Sequence, residues 1–412
     1  MRRLLPLSLV GLVVAASSCT DSRLTTPTPP SVDDQDLMSS AEMVALGRSI
    51  FFDENLSGNG NQACASCHDP DAGWTGPIST VNAGGSVYEG SLGGVFGNRK
   101  PPSSAYATLS PVFHFDGDLF IGGNFWDGRA TGERLGNPAA EQALGPFLNP
   151  VEQALAASAD VVSRICNGSY NELVAAAWPS EYCSEDADDE TILAAYDAVG
   201  LAIAAFEGSE ESNAFTSKYD QSLHGGRVKL NKEERRGLAL FRGKGKCTRC
   251  HPLGHGQDPA LFTDFTFDNL GVPVNPVNPQ YLATGALDPG LGGFLATRTD
   301  YESMAPENMG KHKVPTLRNV DLRPSATFVK AYAHNGYFKS LWQIVHFYNT
   351  RDVKPACPDA YTAQEAADAD CWPAPEIAEN VNRSELGDLG LSFEDEMAIV
   401  AFLKTLSDGY LP

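Results

Sequence analysis

Cys64-Ala65-Ser66-Cys67-His68 and Cys247-Thr248-Arg249-Cys250-His251 repeat one pattern, Cys-x-x-Cys-His, twice in a chain of 412 residues. That spacing lets two cysteine sulfurs form thioether bonds to one haem while the adjacent imidazole reaches the iron axially. A zinc ribbon keeps its cysteine pairs close in sequence, whereas these begin 183 positions apart, at 64 and 247. A redox dithiol gives no reason for a His after both copies. The pattern predicts two covalently bound c-type haems. Cys64, Cys67 and His68 would hold the first, and Cys247, Cys250 and His251 the second.

Residues 1–19 read as a bacterial lipoprotein signal peptide. Arg2 and Arg3 precede an apolar run, Leu4 to Ala16, that is too short to span a bilayer. Ala16-Ser17-Ser18-Cys19 resembles a lipobox, which predicts a periplasmic protein lipid-anchored through Cys19; an ordinary cleaved signal remains the alternative. Residues 20–38, rich in Ser, Thr, Pro and Asp, read as a flexible tether. Membrane contact is expected only through the N-terminal lipid. The formal net charge of −22 disfavours nucleic acid and attracts basic partners such as a small redox protein. A solvated acidic exterior explains that charge equally well.

Of nine cysteines, one is assigned to lipid and four to haem. Cys166, Cys183, Cys357 and Cys371 remain. In an oxidising compartment, the local pairs 166–183 and 357–371 would each staple a loop, and the two other pairings stay open. Helical spacing dominates. Val44, Ile50 and Phe51 mark a helix over 41–52, and Ile192, Tyr196, Val199, Ile203 and Phe206 form another stripe. Asn231 with Glu234, and Ser392 with Asp395, resemble capping boxes. Long Gly- and Pro-rich stretches intervene at 73–123, 253–306 and 355–375. The expected fold is mainly α, with two cytochrome c-like haem domains and long irregular loops. Their boundaries are 39–225 and 226–412, meeting at His224-Gly225-Gly226.

Further strings follow in a fixed order. Leu46-Gly47, Phe51 and Leu56-Ser57 precede the first haem motif. After it come Phe125-Trp126-Asp127-Gly128-Arg129-Ala130, Gly145-Pro146 and Asn149-Pro150-Val151-Glu152. The second haem motif is followed by Val314-Pro315-Thr316-Leu317-Arg318-Asn319-Val320, His334-Asn335-Gly336 and the segment containing Tyr348. In this order the chain resembles the bacterial di-haem cytochrome c peroxidases and MauG, over roughly residues 44–406.

The resemblance implies roles for these residues. Reductively activated family members place a distal His after the first haem motif, near Gly84 here. No His lies between Asp69 and Phe113. His114 is the first candidate, and it reads rather as a surface or propionate-side His. An open first iron is therefore implied, as in MauG. Glu152 is implied as the acid–base residue above that iron, with Gln142 and Pro146 lining the same pocket, although an insertion around Gly132–Asn137 stretches their spacing from Trp126. Asn149, Pro150 and Glu152 also make a helix-start pattern by themselves. Trp126 resembles the tryptophan between the two haems, and a plain core aromatic is the bland alternative. Arg129 and Arg318 suit either haem propionates or carboxylates. Tyr348 matches the sixth ligand of the second iron, as in MauG, with Met309 or Met304 as rivals. The family's inter-domain calcium relies on an Asn after Gly-x-Arg. This chain reads Gly97-Asn98-Arg99-Lys100, and an ammonium cannot ligate calcium, which speaks against that ion, with Asn98 as the substitute ligand left open.

The implied activity is reduction of hydrogen peroxide, with electrons drawn through Trp126 and the second haem. Oxidation of side chains on a partner protein is one alternative, and a non-enzymatic electron-transfer cytochrome is another. Family members often dimerise, so a homodimer is an open expectation.

Overall fold

Ser40 opens the first helix by accepting the amide of Met43 at 3.1 Å; Ala41–Phe51 then buries Met43, Leu46, Gly47, Ile50 and Phe51. The computed structural model describes residues 40–223, 227–254 and 259–412. The predicted signal, Cys19, the tether and the junction at 224–226 lie outside the described residues.

Three helices build the first half: Ala41–Phe51, Pro138–Leu148 and Asp189–Glu207, with Ser158–Cys166 and Asn171–Ala177 packed beside them. Asp188 caps the long one through Thr191 N at 2.8 Å, and its predicted stripe is buried at Tyr196, Val199, Ile203 and Phe206. The second half is framed by Lys232–Arg242, Leu341–Thr350 and Phe393–Leu403. Both capping boxes form, at Asn231–Glu234 and Ser392–Asp395. Each half has its own apolar core, one reaching from Met43 to Phe206 and the other from Tyr219 to Leu406. The Lys218–Leu223 helix therefore already packs with the second core through Tyr219.

One helix crossing occurs twice. A Cβ on Gly47 would stand 1.8 Å from the carbonyl oxygen of Ala202, and one on Gly237 would stand 1.9 Å from that of Ala398. Only glycine allows such backbone contact. Four residues further on, Phe51 meets Phe206 edge-on with ring centres 5.3 Å apart, and Phe241 meets Phe402 at 5.2 Å. Each such buried ring contributes about 1.5–3 kcal/mol.

Between these frames the chain is irregular, as the Gly/Pro stretches predict. Two short antiparallel ribbons occur among the described residues: His114–Phe115 with Phe120–Ile121, and Phe267–Asp268 with His312–Lys313. A small cluster of Phe113, Phe120, Phe267, Leu291 and Leu295 joins loops from both halves. Cys166 pairs with Cys183 and Cys357 with Cys371, with Cα separations of 5.5 and 5.1 Å, so the local alternative holds. Cys64, Cys67, Cys247 and Cys250 take part in no disulfide.

Candidate di-haem active site

The two Cys-x-x-Cys-His motifs sit on short 3₁₀ turns, Cys64–Ser66 and Cys247–Arg249. Cys64 packs on the first core and Cys247 on the second. Four cysteines shared by one zinc are thereby excluded. Each His is tethered alike. His68 Nδ1 lies 3.3 Å from the carbonyl of Trp74, and His251 Nδ1 lies 2.7 Å from that of Phe262. A carbonyl only accepts, so Nδ1 carries the proton and Nε2 is left as the ligating atom. Burial lowers the pKa of both rings, that of His68 to about 4, so both stay neutral as iron ligands must.

A single cavity runs between the halves and is lined by both histidines, with Trp126, Gln142 and Tyr348 among its walls. Cysteines held in no disulfide, Nε2-presenting imidazoles and this mostly apolar space together fit two c-type haems.

Trp126 is buried, and its indole donates to the carbonyl of Lys100 at 2.8 Å. Phe125, just before it, has φ +62°, and Asp127-Gly128 turns the chain so that Asn124 bridges Ala130. Asp127 accepts from Arg99 at 2.6 Å and from Arg129 at 2.8 Å. Arg129 also lies over the Phe125 ring, 3.8 Å from its centre. Arg318 is fully buried; it forms a two-pronged pair with Asp220, both contacts at 2.9 Å, and donates to the carbonyl of Ala260 at 2.7 Å. For both arginines the partner in place is a carboxylate.

Glu152 does not begin a helix. Residues 150–153 form a turn after the Pro138–Leu148 helix, with the Glu152 amide donating to the carbonyl of Asn149 at 3.0 Å. The Asn149 side-chain amide donates to the Glu152 carboxylate at 2.8 Å, so that carboxylate caps nothing. Burial raises its pKa, opposed by the Asn149 hydrogen bond and the charge of Arg129. Burial raises the pKa of Cys67, and the Glu152 charge adds to that rise. Pro146 lies within the helix, and its carbonyl accepts the amides of Asn149 and Gln153. The segment 132–137 wraps Glu141, whose carboxylate accepts amides of Gly132, Arg134 and Leu135 at 2.8 to 2.9 Å.

Tyr348 lies on the Leu341–Thr350 helix with its side chain in the cavity that also holds His251. Its pKa is raised by burial first, then by the charges of Cys250, Cys247 and Asp268. Met309 is packed elsewhere, with its sulfur 2.6 Å from where a Cβ on Gly292 would stand. Met304 packs by the small aromatic cluster. His114 is exposed and hydrogen-bonds the carbonyl of Val112 at 2.8 Å, so it is a surface His.

Sequence reading missed a polar cluster on the cavity wall. His312 and His334 stack with ring centres 3.6 Å apart. His334 meets Glu376 at 2.9 Å, and Arg99 meets Asp288 at 2.6 Å. These partners are far apart in sequence, and only the His-x-Gly string hinted at one of them.

The family model for di-haem cytochrome c peroxidase matches residues 41–227. The methylamine utilization protein MauG of Paracoccus denitrificans is 35% identical over 372 residues, covering 89% of this chain and 88% of that protein. The cytochrome c551 peroxidase of Nitrosomonas europaea is 29% identical, with 84% of each chain covered. Among solved structures, the diheme peroxidase BthA of Burkholderia thailandensis superposes with a TM-score of 0.73 at 29% identity, covering 90% of this chain and 87% of that one. The chain therefore belongs to the di-haem cytochrome c peroxidase and MauG family of haem oxidoreductases acting on peroxide.

Proposed function

We propose that this is an exported, periplasmic peroxidase that reduces hydrogen peroxide on the side of the His68 site facing Glu152. The observation that carries the reading is the single cavity shared by His68, Trp126, His251 and Tyr348. A haem held by Cys64, Cys67 and His68 would supply the redox chemistry, passing two electrons to peroxide. Glu152 handles the proton: its carboxylate removes one from the near oxygen of peroxide and returns it to the leaving oxygen. A buried carboxyl whose pKa is raised toward neutrality suits that exchange. Gln142, on the wall of the cavity that holds His68, orients the peroxide. Asn149 holds the Glu152 carboxylate in place.

Trp126 is the electron relay between the two sites. Its indole is fixed by one hydrogen bond and buried, so its oxidation needs little rearrangement. Tyr348, on the wall of the cavity that also holds His251, would serve with it to hold the second haem's iron. A phenolate is a hard anionic ligand that favours ferric iron over ferrous. That preference supports a second reading, in which electrons come from side chains of a partner protein rather than from a small redox carrier.

The test is the resting ferric spectrum of the holoenzyme. One high-spin and one low-spin haem are expected. Two low-spin signals would refute an accessible first iron.

A further inference from the structure

One polar network of the second half stands off the cavity. Glu396, on the Phe393–Leu403 helix, is 2% exposed and accepts three hydrogen bonds from the Leu341–Thr350 helix. Trp342 Nε1 donates to its Oε2 at 2.9 Å, and His346 Nδ1 and Asn349 Nδ2 meet its Oε1 at 2.8 and 2.6 Å. Lys354 Nζ donates to His346 Nε2 at 2.7 Å and pairs with the exposed Asp370 at the same distance. An ammonium only donates, so His346 Nε2 accepts and its Nδ1 carries the proton. All three groups on Glu396 are therefore donors, which suits an ionised carboxyl.

The same helix turns Leu341, Ile344, Val345 and Tyr348 to the cavity, and Trp342, His346 and Asn349 lie on its adjoining face. The indole is thus separated from the cavity by no more than a helix width, about 10–12 Å. It is half-buried, stacks on the His346 ring with centres 5.0 Å apart, and meets the exposed Phe393 at 6.3 Å. Indole is an oxidisable ring. A buried anion 2.9 Å from its nitrogen stabilises the positive charge left when an electron departs. Oxidation also makes the N–H far more acidic, and Glu396 is the base already in contact with it.

We propose that Trp342 is a redox-active side chain that shares the oxidising equivalent of the second haem site, with Glu396 as its proton acceptor. One electron leaves the indole for the oxidised site, and the Nε1 proton moves to Glu396 Oε2. The neutral indolyl radical then takes one electron from an external donor, and the proton returns to Nε1. The equivalent is thereby carried from the cavity to a ring at the surface. This inference rests on the peroxide reaction proposed above.

Holoenzyme mixed with hydrogen peroxide and frozen without an electron donor should show an organic radical by electron paramagnetic resonance. Ring-deuterated tryptophan should narrow the signal, assigning it to indole. Trp342→Phe should lose it while the haem absorbance still responds to peroxide. An unchanged signal in Trp342→Phe, or no narrowing on deuteration, would overturn the proposal. Trp126→Phe should keep the shape of the signal, whatever its timing, because timing reports the relay and shape reports the ring that holds the radical. Electron–nuclear double resonance should find no strongly coupled exchangeable proton in the wild type. Glu396→Gln keeps an oxygen for the indole N–H but cannot take its proton, so such a coupling should appear there. Finding it already in the wild type would overturn the role of Glu396, whether or not the Gln variant folds. If peroxide changes neither haem's absorbance in the wild type, the peroxidase reading fails and this one with it.

Discussion

Trp74 and Phe262 hold matched places in the two halves. Each is a bulky aromatic in left-handed backbone, at φ +60° and +53°, and each turns its carbonyl onto the Nδ1 of a haem-motif histidine. Left-handed backbone is costly for such residues and persists where surrounding structure over-determines it. Here packing does so: Trp74 lies against Phe51 and Phe206, and Phe262 against Tyr219 and Phe241. The same aromatic cores that stabilise each half thus orient its iron ligand.

The helix crossings should be intolerant of a single methyl group. Gly47→Ala and Gly237→Ala each force two backbones apart, and a loss of roughly 1–3 kcal/mol or more is expected for either. Thermal unfolding of the holoenzyme measures it, and an unchanged melting temperature for both would contradict the close contact.

Glu152→Gln should keep both haems and slow the peroxide reaction by about 10²–10⁴-fold. The wild-type pH profile should carry a matching limb. Burial raises the Glu152 pKa, so the proton-accepting carboxylate is lost at a higher pH than for an ordinary glutamate, and the rate falls as pH drops through that value. In the Gln variant this limb should vanish; its persistence would assign the limb to another group.

Tyr348→Phe should change only the low-spin haem signal, and Tyr348→Met should raise that haem's reduction potential, because thioether sulfur favours ferrous iron. Redox titration followed by absorbance reads both. A Tyr348→Phe spectrum identical to wild type would return the residue to the core and reopen the search for the ligand.

Asp288→Asn should destabilise the junction by roughly 3–5 kcal/mol, because it leaves a buried guanidinium poorly paired. Arg99 reaches Asp288 from the other half of the chain at 2.6 Å. The Asp288 carboxyl is held well below its usual pKa: burial opposes the charge, and the Arg99 and His312 contacts outweigh it. A lowered carboxyl pKa gives stability that is full above the ordinary Asp value of about 3.9 and is lost as pH falls below it. Acid unfolding below about pH 4 should therefore be blunted in the variant.

The haem motifs and the helical frame were legible because they are local. Cys-x-x-Cys-His is a five-residue constraint, and the stripes of Ile192–Phe206 and Ile399–Leu403 follow from helix period alone. At Glu152, Asn149 and Pro150 imitate a helix start, and the structure has a turn at 150–153 instead. The inter-domain contacts carried no local signal. Arg99 and Asp288, or Lys330 and Ala72, are joined by folding across hundreds of residues, and no periodicity encodes such pairs. Arg129 and Arg318 looked alike in sequence, yet one is exposed over Phe125 and the other is enclosed by aromatic rings and Asp220.

The twin crossings at Gly47 and Gly237 also carry a historical implication. Two helix pairs that repeat the same glycine contact and the same phenylalanine contact four residues later point to tandem copying of one ancestral haem-binding unit. Divergence then lay outside the twin pairs, with Glu152 in a turn of one half and Tyr348 on a further helix of the other. Ancestry thereby kept the scaffold symmetric while the residues set upon it diverged.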